Sequence, residues 1–126
     1  MKKIIQTFKA PAPIGPYNQA ILVDNTLYAS GQIALDPKTM KLVNQDIEME
    51  TTQVMKNISE VLKAAGMDFA DVVKTTIFLY DMGDFATVNE VYGSYFDYNV
   101  APARETIQVA ALPKNVRVEI SVIAIR

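Results

Sequence analysis

The chain has 126 residues, 50% of them hydrophobic and 21% charged, with a formal net charge of −2 and neither cysteine nor histidine. Such a length and composition describe one folded domain, residues 1–126, large enough to bury a core without staples. The two missing residue types exclude disulfides, thiol nucleophiles, zinc–cysteine centres and a Ser-His-Asp triad, and they remove the commonest general base near neutral pH.

Nucleic acid is disfavoured as a partner, because a chain that neutralises many phosphates needs a basic face. Here Lys2, Lys3 and Lys9 cluster at the start, but acidic residues dilute the rest. Met1–Ile5 is too short and too polar for a signal-peptide core, and no apolar run approaches a membrane span. The expectation is a cytoplasmic protein with no membrane partner. The acidic residues show no metal-loop pattern, so no metal is expected.

In chain order, Ala10–Pro16 holds three prolines and a glycine and predicts a loop of fixed shape. Strands are predicted at 19–23 and 27–34, with a turn at Asp24-Asn25 between them and another at Asp36-Pro37-Lys38. From about Ile47 to Ala65 the apolar residues take helical spacing, and Gly66 supplies a stop. A strand follows at 72–80. Asp84 reads as the N-cap of a second helix, in which Phe85, Val88, Val91, Tyr92, Tyr95 and Phe96 repeat at helical spacing. Two strands close the chain at about 106–111 and 116–125, around a turn at Pro113-Lys114-Asn115. This order predicts an α+β layer with two helices on one face of a mixed sheet.

Period-2 alternation sends Val118, Ile120, Val122 and Ala124 to one face, and Glu119, Ser121, Ile123 and Ile125 to the other. In the strand before it, Arg104, Thr106 and Gln108 alternate with Ile107 and Val109. Grouping Arg104 with Glu119 predicts a mixed second face, suited to a subunit interface with clefts in it.

Few residues here can carry chemistry. Arg104, approached stiffly through Pro102, is either a fork for a carboxylate, a surface arginine, or a salt-bridge partner for Glu105 or Glu119. Glu119, inside an apolar strand, either pairs with a cation across the sheet or orients a water and takes its proton. Ser30 has no histidine to activate it, so hydrogen bonding is its expected role, and Gly31 within a strand marks a bulge or a close ligand approach. Tyr17 either packs under the proline loop or closes a pocket. Asn89 is either a boundary polar residue or part of a site. Lys74 has no apparent reason for a lowered pKa, which argues against a Schiff base.

The segment Pro102-Ala103-Arg104-Glu105-Thr106-Ile107-Gln108-Val109-Ala110-Ala111-Leu112-Pro113, followed by Val118-Glu119-Ile120, resembles the C-terminal signature of the RidA/YjgF family. Further matches are Ala12–Tyr17, Ser30–Ile33, Val73–Thr76 and Asp84–Asn89, in the same order. The resemblance implies a chorismate-mutase-like fold, a homotrimer with three clefts between subunits, and hydrolysis of reactive enamines and imines of 2-keto acids without a cofactor. It further implies that Arg104 grips the substrate carboxylate and Glu119 positions the attacking water. Tyr17, Ser30 and Asn89 then line the cleft, with backbone contacts at Gly31 and Thr106.

Two positions depart from the pattern. Thr106 stands where cysteine is frequent, and Glu105 stands where a small residue is usual, with a charge free to compete for Arg104. Alternative functions are a small-molecule binding module without turnover, for which Arg104 alone suffices, and a ribonuclease or translation-inhibitor role. A holdase-like chaperone leaves no trace in the sequence.

Overall fold

The computed structural model describes all residues, Met1–Arg126. Six strands, β1 (Lys2–Ile5), β2 (Ala20–Val23), β3 (Thr26–Ala29), β4 (Val72–Leu79), β5 (Ala103–Gln108) and β6 (Val118–Ile125), form one sheet. Their spatial order is β1-β2-β3-β6-β4-β5. All pairings are antiparallel except β4 with β5, which are parallel. A parallel pair needs a crossover, and α2 (Phe85–Gly93) lies within it. The other helix, α1 (Ile47–Ala64), joins β3 to β4.

Both helices pack on one face, as the spacing predicts. Val54, Met55, Ile58, Val61 and Leu62 of α1 share one buried cluster with Ile77, Leu79, Val118, Ile120 and Val122 of the central strands. The start of α1 is capped by Asp46, whose carboxylate accepts the Met49 N–H at 2.7 Å. Asp84 makes no such bond. The chain enters α2 from a 3-10 turn, Met82–Asp84, and Asp84 already has helical backbone angles, which point its side chain away from the free N–H groups. Asp81 caps that turn instead, through the Gly83 N–H at 2.8 Å.

Other element limits also shift. The unanticipated β1 buries only Ile5, so two lysines hide its strand character. The expected strand 27–34 stops at Ala29. Tyr28 pairs with Ile123, but the next contact with β6 is Gln32 with Ile120, a slip of one residue that spans Ser30-Gly31. The glycine marks an irregularity, as its place in a strand suggests. β5 begins at Ala103 and ends at Gln108, three residues earlier at each end than expected. Its only partner, β4, runs out at Leu79, beyond which no ladder can form.

The register also overturns the grouping of Arg104 with Glu119. Arg104 lies beside Thr75, and Glu105 beside Thr76. Glu119 lies beside Phe78. Thr75, Ile77 and Leu79 are buried beneath the helices, while Lys74, Thr76 and Phe78 face the open side. Arg104 and Thr106 therefore point to the helix face, and Glu105, Ile107 and Glu119 to the open face. On that face Glu105 is held by the Thr76 hydroxyl at 2.7 Å and Lys74 at 3.2 Å. These contacts hold its carboxyl below the usual range. Glu105 does not compete for Arg104, and Lys74 is paired.

Candidate functional site

The expected site residues fall into two groups. The first surrounds Glu119. The buried Gln19 amide shapes the proline-rich loop: it accepts the Thr7 N–H at 2.8 Å and donates to the carbonyls of Ala10 and Pro11 at 3.2 and 2.9 Å. That loop presents Tyr17, half-exposed. Ser30 donates to the Asn18 carbonyl at 2.6 Å and so ties the loop to the end of β3. Opposite, β6 presents Glu119.

Gly31 lies directly against that carboxylate. A Cβ placed on Gly31 would sit 2.7 Å from Glu119 Cδ, closer than real contacts allow. Glycine leaves the space that the carboxylate occupies in this orientation, and a larger residue would have to displace the Glu119 side chain. Tyr17, Ser30, Gly31 and Glu119 line a cavity of about 420 Å³, together with Ile14 and Pro113.

The Glu119 carboxylate makes no hydrogen bond or ion pair with the rest of the chain, and burial pushes its pKa above the usual range. A half-buried carboxylate with no cation is an expensive feature in a structural role. The cross-sheet pairing that the sequence left open does not occur. Perturbed carboxyls in clefts are candidates for proton transfer.

Gly31→Ala tests this geometry. We expect a folded protein whose Glu119 side chain has been pushed aside. On the expectation that Glu119 positions a water, turnover should fall by about tenfold, since small misplacements of a reacting group cost that much or more. A thermal melt checks the fold and steady-state rates check the loss; unchanged rates would show that the contact is immaterial.

The second group surrounds Arg104. Its Nη1 donates to Asn89 Oδ1 at 2.6 Å. The guanidinium carbon lies 5.1 Å from the Tyr92 ring centroid and 5.6 Å from that of Phe85. Tyr92 is itself held by Thr75, oxygen to oxygen, at 2.7 Å. Burial raises the Tyr92 phenol, against the Thr75 hydrogen bond and the Arg104 charge, both of which lower it.

These contacts fix the plane of the guanidinium while one N–H is used, leaving the rest of the fork without a protein partner. A cavity of about 400 Å³ opens here, lined by Asn89, Tyr92, Tyr98, Pro102 and Arg104. The sequence reading took Phe85 and Tyr92 only as core positions. Their places four before and three after Asn89, on one helical face, were the available signal. Thr106 lies two residues from Arg104 on the same face but does not line this cavity, and its buried hydroxyl has no partner.

The three arginines are thereby distinguished. Arg117 Nε binds the buried Glu50 at 2.7 Å, and Arg126 donates to the Ala65 carbonyl. Arg104 has no carboxylate. Within a single chain Arg104 and Glu119 do not open into one pocket, because the two lie on opposite faces of the sheet.

Comparison with known proteins gives these two groups a context. The chain is 55% identical over 126 residues to the 2-iminobutanoate/2-iminopropanoate deaminase of Rattus norvegicus, covering 100% of this chain and 91% of that one. It is 52% identical over 123 residues to the chloroplastic Reactive Intermediate Deaminase A of Arabidopsis thaliana, covering 98% of this chain and 65% of that one. Among solved structures, RidA from a Psychrobacter species superposes with a TM-score of 0.94 at 45% identity, covering 98% of this chain and 99% of that one. E. coli TdcF with bound serine superposes with a TM-score of 0.92 at 41% identity, covering 98% of each chain. The family model described as Endoribonuclease L-PSP matches residues 7–126, and with relatives this similar along the whole sequence the chain belongs to the RidA/YjgF family.

Proposed function

We propose that this protein hydrolyses 2-iminobutanoate, 2-iminopropanoate and the enamines that tautomerise to them, in a site that two copies of the chain assemble together. The observation that carries the activity is 55% identity along the whole chain to the rat deaminase. The observation that supports the shared site is that Arg104 and Glu119 sit on opposite faces of one sheet, each in a cavity of its own.

Apolar residues lie exposed at both halves. Tyr98 is 77% exposed in the Arg104 half, and Ile14 is 53% exposed in the Glu119 half. Contact between unlike patches is head-to-tail, and a closed ring of such contacts makes one complete site per subunit. The family resemblance puts the number of copies at three. The open sheet face, with Tyr28, Ile107 and Ile125 exposed, supplies further apolar surface for the same assembly.

The chemistry needs only what these halves hold. Arg104 takes the substrate carboxylate in two parallel hydrogen bonds, backed by Asn89 and the Tyr92 ring. Water bonds to the imine carbon as Glu119 takes one of its protons. That proton passes to nitrogen to give a carbinolamine; the hydroxyl proton then follows to the nitrogen as the carbon–nitrogen bond breaks and the carbonyl forms, leaving ammonia and a 2-keto acid. A carboxyl raised toward the working pH both accepts and returns that proton readily. Tyr17 and Ser30 line the Glu119 side of the pocket. The structure of TdcF with bound serine supports a small ligand bearing a carboxylate.

Mixing variants tests both parts of the proposal. Arg104→Ala and Glu119→Gln proteins, each nearly inactive toward freshly generated 2-iminopropanoate, should regain about one-quarter of wild-type activity when co-assembled in equal amounts. In a head-to-tail ring that is the fraction of sites receiving both intact halves. No recovery from well-folded mixed oligomers would place the whole site within one chain. Absence of ammonia release by the wild-type protein would leave a binding module.

A further inference from the structure

Glu119 has no hydrogen-bond partner of its own, so the direction of its carboxylate depends on the backbone that carries it. That backbone leaves an irregular turn, where Lys114 and Asn115 both have positive φ, and joins β6 only at Val118. Something must hold the junction.

Glu50, one turn into α1, is fully buried. Its Oε2 accepts the backbone N–H groups of Arg117 and Val118, at 2.7 and 3.3 Å. Its Oε1 accepts Arg117 Nε at 2.7 Å, and Arg117 Nη2 donates in turn to the Asn44 carbonyl at 3.0 Å. Every bond this carboxylate makes is to the two residues immediately before Glu119.

The opposite wall of the pocket is held from the same helix. Asn57, seven residues later on the same face of α1, donates to the carbonyls of Ile33 and Leu35 at 3.1 and 3.0 Å. Gln32 and Ile120 exchange backbone hydrogen bonds at 2.8 and 3.1 Å, which locks the two walls together and sets Gly31 against Glu119. A buried carboxylate is a costly way to fill a helix–sheet contact that an apolar side chain would fill equally well. What the carboxylate adds is direction, since two backbone donors and one guanidinium nitrogen fix the approach to residue 119.

We infer that Glu50 is a positioning residue for the hydrolysis, acting through Arg117 and Val118 to set where β6 presents the Glu119 carboxylate. The role rests on Glu119 being the group that activates water. Asn57 serves the facing wall in the same manner. Neither residue touches the substrate.

A double-mutant cycle between Glu50→Gln and Glu119→Gln tests this. Glutamine keeps the size of Glu50 but offers one acceptor oxygen in place of two. The Glu50→Gln protein should lose about tenfold in kcat with KM changed by less than about twofold, since the carboxylate-binding half is untouched. In the Glu119→Gln background the same substitution should cost nothing further, because a group that acts only through Glu119 has nothing left to position. Unchanged kcat in folded Glu50→Gln protein would overturn the role, and so would an equal loss in both backgrounds, the mark of a general structural defect.

Should Glu50→Gln not fold, Arg117→Lys keeps a cation beside Glu50 while removing the Nε bond. It is measured in the same cycle, with the same two overturning results. If Glu119→Gln alone keeps the wild-type kcat, the assignment of Glu119 itself has failed. An effect of Glu119→Gln without one of Glu50→Gln refutes only the positioning role.

Discussion

Glu119→Gln is expected to lower kcat by about a hundredfold, the lower part of the range for losing a positioned general base. The substitution keeps the shape beside Gly31 and removes the charge, so the cavity persists while its water loses a proton acceptor. KM should change little, because in the proposed site the substrate carboxylate is held at Arg104.

The pH profile gives a second readout. Burial raises the Glu119 carboxyl, so wild-type activity should fall on the acid side at a higher pH than an ordinary carboxylate would give. The variant should lack that limb. Stability should move the opposite way. A carboxyl whose folded-state pKa is raised favours folding while protonated, and that contribution is lost as pH rises from the ordinary carboxylate value through the raised one. At neutral pH the ionised group therefore weighs against the fold, and Glu119→Gln should melt above wild type. A variant both slower and more stable would identify a residue kept for chemistry. Wild-type turnover in Glu119→Gln would dismiss it as the base.

Arg104→Ala is expected to lose roughly tenfold to a hundredfold in kcat/KM, equivalent to a charge-assisted contact of about 1.5–3 kcal/mol. The truncation also removes the guanidinium that Asn89, Tyr92 and Phe85 hold in plane. Arg104→Lys should recover only part of the loss, since an ammonium cannot reproduce a flat two-pronged contact. Imine decay followed after coupling to an amino-acid-dehydrating enzyme measures both variants. Should Arg104→Ala process 2-iminopropanoate as fast as wild type, the carboxylate clamp is misassigned.

The two losses should arise by different routes, because the groups lie on different faces of the sheet. In the proposed assembly, a chain carrying only one of the substitutions still contributes one intact half-site to a neighbour. For this reason the co-assembly experiment discriminates where single-variant kinetics cannot.

Much of this architecture was legible in the sequence, because it rests on local periodicity. The stripe from Val54 to Leu62 is buried as spaced, and the alternation of Val118, Ile120, Val122 and Ala124 against Glu119, Ser121 and Ile123 is the burial pattern of β6. Ser30-Gly31 breaks the pairing of β3 with β6 where a glycine in a strand suggested it. The ordered run of motifs from Ala12 to Ile120 was enough to indicate the family.

The phase of one strand against another was decided only by the tertiary structure. Alternation within β5 is readable, but which of its faces turns toward the helices depends on its register with β4, and that register is set by packing. Most of β5 is exposed on both sides of this edge strand, so its own residues carry no burial signal. A shift of one position in the pairing would have put Arg104 on the face that carries Glu119. The actual register separates them and makes a second copy necessary for a common pocket.

The polar supports were equally invisible. Gln19, Glu50 and Asn57 are separated by 8 to 68 residues from most of the groups they bind, and a buried glutamate on a helix looks in sequence like a solvated one. Most of their partners are backbone atoms, whose positions exist only once the chain has folded around them.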